Sequence, residues 1–480
     1  MSTLTDVDLP LYQSAKTVYP QSVKGPFRRL KSVVLVLCLA VYYFLPFLRW
    51  DRGPNLPDQA VLLDLPHRRF YFFFIEIWPQ EAYYFTGLLV LAAMILFLMN
   101  ALAGRVWCGY LCPQTVWTDL FQGVERFFQG DRRAHMLLDQ APWSFDKLWR
   151  KGATHVSWLM IAWWTGGAWV LYFADAPTLV RDLAFFEAPP VAYISIAILT
   201  FTTYSLAGIM REQVCTYMCP WPRIQAALTD DQALNVTYRY DRGEPRLSLK
   251  GAERARAAGD KAGDCIDCNQ CVAVCPTGID IRHGAQLECI QCGLCIDACD
   301  NVMEKVSRPK GLIGYDTSIN VEARACGKPE EVIRFIRPRT LVYAALISIV
   351  GGAMLYQLAT RATAGINLIH DRAPLFVTLA DGSIRNAFTM RLINKRPDAR
   401  LFALTVEGPT GAHLEVVGVS ATADWRPVVA VEPDSTREVR VLVTMPKGAI
   451  EHKHADIAIR ASDLFAGEVV IAKDHVFGPH

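Results

Sequence analysis

Charge of one sign is missing from this sequence. Its 49 basic and 47 acidic residues leave a net charge of only +2, so the balance points to neither a nucleic acid nor an acidic partner. Cys-x-x-Cys-His is also absent, which excludes the usual attachment site of a c-type haem. Of ten histidines, only His155 falls in a long apolar run, so a haem held by two histidines within the membrane is unsupported. Cysteine stops at Cys326, and everything after it folds without a disulfide. The first apolar run does not read as a cleaved leader, because the polar segment 1–31 precedes it and LRWDRGPNLP follows without a small-x-small site.

Apolar residues are abundant. They make up 52% of the chain, which is high for a soluble enzyme and points to a membrane protein. Five stretches approach or reach the roughly 17 to 25 residues that a spanning helix needs: Ser32 to Leu48, Tyr83 to Ala103, His155 to Ala174, Pro190 to Met210 and Thr340 to Ala359. Basic residues cluster before the first, between the second and third, and around the segment between the fourth and fifth, whereas the link between the third and fourth carries only Arg181. This predicts a cytoplasmic N-terminus and an outside C-terminus. The loop from Arg49 to Ala82 has four arginines and five acids, and its outside placement rests on alternation alone. Within it, DLPHRRFYFFFIEIWPQEAYYF reads as an aromatic belt or re-entrant segment, with a quinone or copper pocket as the less expected use.

The expected organisation is a cytoplasmic N-terminal segment (1–31), a four-helix membrane domain (32–210), a cytoplasmic insert (211–339), a fifth span (340–359) and an outside domain (360–480). The insert contains CIDCNQCVAVCP at 265–276 and CIQCGLCIDACD at 289–300. Each is the Cys-x2-Cys-x2-Cys-x3-Cys run of a bacterial ferredoxin, in which three thiolates hold one [4Fe–4S] cluster and the fourth reaches the other. Cys265, Cys268, Cys271 and Cys299 are therefore expected on one cluster, and Cys289, Cys292, Cys295 and Cys275 on the second. Disulfides do not suit a reducing compartment, and zinc favours two separated Cys-x-x-Cys pairs. Asp300 stands where a proline usually follows the second run.

Two further thiol pairs lie where spans meet the cytoplasm. CGYLCP at 108–113 follows the second span and CTYMCP at 215–220 follows the fourth, and the same interval separates Cys108 from Cys215 and Cys112 from Cys219. This reads as a diverged repeat of two helical hairpins. Cysteines at i and i+4 are expected on one helix face, with a break at the proline. Brought together, Cys108, Cys112, Cys215 and Cys219 would offer four soft ligands suited to Cu(I), beside a one-electron source. They could instead exchange electrons with a quinone or a partner disulfide, or be buried small hydrophobes. That last reading is kept for Cys38 and Cys326.

After the fifth span, from about Pro374, β-branched runs alternate with turn residues, as in FTMRLINKRPDAR and REVRVLVTMPKG. This predicts an all-β, immunoglobulin-like sandwich serving as a docking module. His452, His454, His475 and His480 are candidate copper contacts there, although exposed surface histidines are commoner.

The Cys-x3-Cys-Pro pair, the ferredoxin runs between the fourth and fifth spans, and the outside β domain together resemble the cytochrome c oxidase accessory protein family known as CcoG, FixG or RdxA, over nearly the whole chain. The resemblance implies a bacterial inner-membrane cupric reductase that supplies Cu(I) for assembly of cbb3-type cytochrome oxidase. Copper transporters and a copper-exporting P-type ATPase are the implied partners. It assigns the cluster ligands to the eight cysteines above and the copper-associated, catalytic role to Cys108, Cys112, Cys215 and Cys219. Membrane ferredoxins similar to the quinol dehydrogenases of periplasmic nitrate reduction share the Cys-x3-Cys-Pro pair, which makes quinol oxidation the alternative activity. A copper chaperone or assembly scaffold with redox-sensing clusters is a third reading. Electrons are expected from a soluble cytoplasmic donor.

Overall fold

The computed structural model describes residues 17–53, 56–419, 426–450 and 453–479. The chain forms two units, one comprising the sequence through Leu48 together with Gln59–Met354, the other Arg49–Asp58 with Leu355–His480.

In the first unit, helix α1 (Pro26–Phe44) opens with proline in its first turn, where the missing N–H costs nothing. Its orphan donors are satisfied from a distance, since the Asp297 carboxylate accepts from the N–H groups of Phe27 and Arg28 at 3.3 and 2.8 Å. Three short antiparallel strands follow, β1 (Val61–Asp64), β2 (Arg69–Phe72) and β3 (Ile75–Ile77). The aromatic stretch expected as a belt or re-entrant segment is therefore a β-meander. Its Tyr71, Ile77 and Trp78 are buried, and alternation across a strand accounts for this better than a helical stripe.

Helix α2 (Tyr83–Ala103) leads to the short α3 (Val106–Tyr110), then α4 (Pro113–Gln129), α5 (Arg132–Gln140), α6 (Phe145–Val170), α7 (Ala176–Ala184) and α8 (Pro190–Thr203). The last continues as a π-helical stretch, Tyr204–Met210. A second π-helical turn, Val214–Met218, precedes α9 (Trp221–Leu228). Among the described residues, four helices are long and apolar enough to cross a membrane: Pro26–Phe47, Pro79–Ala103, Pro190–Met210 and Pro338–Ala359. The third expected span falls in α6, which is not among them. Lys147, Arg150 and Lys151 occupy its first turns, and Thr, Gly and Trp dilute the rest.

The insert is organised on a two-stranded antiparallel ribbon, β4 (Asn235–Tyr238) with β5 (Ile313–Asp316). It packs beside the short helix Gln270–Ala273 and the longer helix Leu294–Lys305, with Ile281, Ile296, Met303, Leu312 and Ile313 in the core.

The second unit is a sandwich of two antiparallel sheets. One has the order β10 (His413–Val416), β12 (Ser435–Met445), β8 (Ile384–Asn394), β6 (Ala364–His370), with β7 (Val377–Thr378) also on β8. The other runs β11 (Val428–Val431), β9 (Arg400–Glu407), β13 (His454–Asp463), β14 (Val469–Phe477). Phe388, Met390, Leu392, Phe402, Leu404, Val441, Val443 and Ile459 fill the space between them. The sandwich begins at Ala364 rather than near Pro374, because AGINLIH pairs with β8.

Candidate redox site

The two ferredoxin runs fold alike. In the first, Asp267 and Asn269 flank Cys268 with φ of 52° and 56°; in the second, Gln291 and Gly293 flank Cys292 with φ of 55° and 73°. Two left-handed residues around the middle cysteine wrap the backbone so that three thiols converge, and a helix begins at once: Asn269 and Gly293 are the N-caps of helices Gln270–Ala273 and Leu294–Lys305. Arg282 braces the first loop, donating to Asp267 at 2.6 Å and Asn269 at 2.5 Å.

The crossed ligand sets are also brought together. Cys299 lies within electrostatic reach of Cys271, Cys268 and Cys265. Cys275 does so for Cys289, Cys292 and Cys295, and these four line one pocket. Burial pushes the thiols up, Cys271 to about 11 and Cys299 and Cys289 to about 12, and each is raised further by neighbouring thiols. Buried, mutually repelling thiols become thiolates only around a cation, so this donor set fits two iron–sulfur clusters.

The Cys-x3-Cys-Pro repeat is visible in the backbone. Four residues before each first cysteine, the spanning helix ends at a residue of nearly the same unusual conformation: Gly104 at φ 53°, ψ −125° and Arg211 at φ 46°, ψ −117°. For a non-glycine residue this region is strained. Arg211 is held there by its bonds to Glu125 at 2.6 Å and the Gly208 carbonyl at 2.8 Å. Each second cysteine is extended, Cys112 at φ −60°, ψ 127° and Cys219 at φ −79°, ψ 122°, with its proline opening α4 or α9. The expectation of both thiols on one helix face is thus corrected. A proline forces the preceding residue out of the helical region, and the chain breaks at the second cysteine itself.

The four thiols are brought into one neighbourhood. Cys108 lies within electrostatic reach of Cys112, Cys215 and Cys219, and Cys215 within reach of Cys112 and Cys219. Cys108 donates to Gln225 Oε1 at 3.3 Å, and burial first, then the other thiols, pushes Cys108 and Cys215 up to about 12. Among the described residues, no three His, Cys, Asp or Glu side chains close into a grip on a single metal ion. The four thiols are neighbours rather than a finished coordination shell.

The two copies differ in one respect that sequence reading missed. CGYLCP is docked on the second ferredoxin loop. A side chain at Gly109 would meet the Ile290 carbonyl oxygen at 2.7 Å and the Cys292 backbone at 3.1 Å. The Tyr110 hydroxyl donates to the Cys292 carbonyl at 2.9 Å, and the Arg105 N–H to Gln291 Oε1 at 2.8 Å. Cys108 shares a buried apolar cluster with Ile290, Cys292 and Leu294. In CTYMCP the equivalents of Gly109 and Tyr110 are Thr216 and Tyr217, and Tyr217 is 69% exposed. The signal that marks the docked copy is the glycine, present in one repeat and replaced in the other.

Other candidates stand apart. Cys38 is half-buried and Cys326 exposed. His454 and His475 are ring neighbours with centroids 5.5 Å apart, and His475 Nδ1 contacts Asp456 at 2.7 Å. His452 and His480 lie outside the described residues. His155 pairs with the Tyr204 hydroxyl at 2.9 Å.

Residues 210–318 match a family model described as a 4Fe-4S dicluster domain, 85–133 one described as a 4Fe-4S binding domain, and 354–479 one for the Ig-like fold at the C-terminal of FixG. The chain is 50% identical to nitrogen fixation protein FixG of Rhizobium meliloti, covering 95% of this chain and 91% of the relative. It is 48% identical to protein RdxA of Cereibacter sphaeroides, over 95% of both chains, and 49% identical to RdxB of the same organism, over 96% of both.

Proposed function

The chain belongs to the FixG/RdxA family of iron–sulfur oxidoreductases, and on that premise we propose that it reduces Cu(II) to Cu(I) at Cys108, Cys112, Cys215 and Cys219. The observation that carries this reading is the docking of CGYLCP on the Ile290–Cys292 loop, with Cys108 and Cys292 in one buried cluster. When bound, the two [4Fe–4S] clusters supply single electrons. The protein's part is to hold Cys108 of the substrate site against the second loop, where Cys292 shares its apolar cluster. Cu(II) taking one electron becomes Cu(I), which four soft sulfurs prefer.

The proposed setting is a bacterial inner membrane with the insert in the cytoplasm. The N-terminal segment docks on the insert, Gln21 N–H donating to the Ala273 carbonyl at 2.8 Å and Asp297 capping α1. The ends of α2 and α8 that carry the thiol pairs meet on that same side. Between the inner end of α2 and the outer start of α8 the chain must cross once more, and α6, whose 26 residues extend about 39 Å, is the helix able to do so. With that crossing the proposed count is five spans. The grouping of Arg49–Asp58 with the sandwich accords with an outside position for both. A soluble cytoplasmic electron donor, a copper transporter, a copper-exporting P-type ATPase and the assembly factors of cbb3-type oxidase are the proposed partners. The test is Cu(II) reduction by protein with and without the four thiols.

A further inference from the structure

One large cavity takes no part in the copper reading. It is a half-open groove of about 980 Å³ in the membrane domain, between α6, α7 and α8 with the end of α1. Its walls are apolar and aromatic, including Leu159, Trp163, Ala197 and Phe201. From Tyr193 to Tyr204, both on its wall, α8 and its continuation rise about 16 Å, enough for an extended apolar tail and too long for a small solute.

The inner end has a different chemistry. There Tyr204 is hydrogen-bonded to His155 at 2.9 Å, with the Ser205 hydroxyl beside it on the cavity wall. Ile209 lines this cavity and also a second, polar pocket, which holds His155, Glu125, His135, Asp139 and Lys151. The apolar groove thus ends at a donor–acceptor pair whose other side faces a set of titratable groups. A lipid tail needs only the groove. A membrane-soluble molecule whose head accepts hydrogen bonds and exchanges protons needs all three parts.

We propose that this cavity binds an isoprenoid quinone, its ring at Tyr204 and His155 and its tail along α8. The His–Tyr pair matches a quinone carbonyl, since either side chain can donate a hydrogen bond to it. On the groove's own wall the head position carries the Tyr204 and Ser205 hydroxyls and, among the described residues, no cation, whereas Lys151 and Arg211 line the second pocket with His155. This inference is independent of copper reduction and would stand if that reading failed.

The test uses the full chain, purified anaerobically with its iron and placed in phosphatidylcholine nanodiscs. Trp163 and Trp164 line the cavity, so added decylubiquinone should quench tryptophan emission saturably. Tyr204→Phe and His155→Gln should each weaken binding about tenfold, as expected for one lost hydrogen bond. Gly167→Leu, which fills the groove, should abolish it. Unchanged iron content and cluster absorbance in each variant establish that the fold is intact. Decylbenzene, with the tail and no carbonyl head, should not compete. Equal binding of decylbenzene, or unchanged affinity in both head-group variants, would show a lipid groove and overturn the proposal.

Discussion

The Tyr110 hydroxyl donates to the Cys292 carbonyl at 2.9 Å, and this bond ties the first thiol motif to the second ferredoxin loop. Its repeat counterpart, Tyr217, lies in the open. The two copies thus differ: one is packed on the second ferredoxin loop, and the other leaves its tyrosine exposed.

Gly109→Ala should loosen that junction. The added carbon meets backbone on both near sides, which cannot swing away as a side chain would, so a cost of about 1–3 kcal/mol is expected. Thermal loss of the clusters' visible absorbance should begin at lower temperature than in the parent. Thr216→Ala, at the exposed counterpart, should leave that temperature unchanged. Equal behaviour of the two variants would mean that the docking contributes nothing.

Much of this was legible in the sequence. Eight cysteines at fixed spacing announced the ferredoxin insert, and β-branched runs announced the sandwich, because both signals are local. What was not legible depended on position in space. Gly109 and Arg105 make their contacts with residues 290–292, far along the chain, and nothing near CGYLCP reports that. The aromatic run from Asp64 was misread because period-two alternation over a few residues is easily lost among so many aromatics. The stretch His155 to Ala174 was expected as a span, but α6 is not among the four helices apolar enough to cross.

The crossed ligand sets make a paired prediction. Cys268→Ser and Cys299→Ser should deplete the same cluster, and Cys292→Ser and Cys275→Ser the other, each variant losing about four of eight irons. Paramagnetic resonance of the dithionite-reduced variants should then fall into two classes. If Cys299→Ser behaved like Cys292→Ser, the runs would be uncrossed and the assignment wrong.

In the sandwich, Arg400 is buried with Asp463 at 2.6 Å and Glu468 at 2.7 Å. Burial would raise both carboxyls. For Asp463 the N–H groups of Phe465 and Ala466 with Arg400, and for Glu468 the Thr363 hydroxyl with Arg400, outweigh it and hold them below the ordinary range. Their contribution to stability is complete above the unfolded-state values of about 4 and is lost as pH falls through the lower folded values. Calorimetry of the full chain should show the sandwich transition dropping below about pH 4. Arg400→Met removes the cation that the two carboxylates share while their N–H and hydroxyl donors remain, and about 1–3 kcal/mol should be lost at neutral pH.

Reporters fused after Asp381 and near Gly263 should appear on opposite sides of the membrane, the first outside. Basic residues flanking the spans set that orientation. Both on one side would remove the crossing by Pro338–Ala359, and the sandwich would share a compartment with the insert.

The central claim is that electrons leave through the four thiols. Protein reduced with dithionite and freed of excess reductant is mixed anaerobically with Cu(II), and Cu(I) is followed with a chromogenic chelator. The parent should form Cu(I) as its clusters reoxidise. The fourfold variant with serine at Cys108, Cys112, Cys215 and Cys219 should keep its iron, its cluster spectrum and its reducing equivalents, and form almost none. Cu(I) formation at the parent's rate by that variant would contradict the account, since the clusters would then be reaching copper without the thiols.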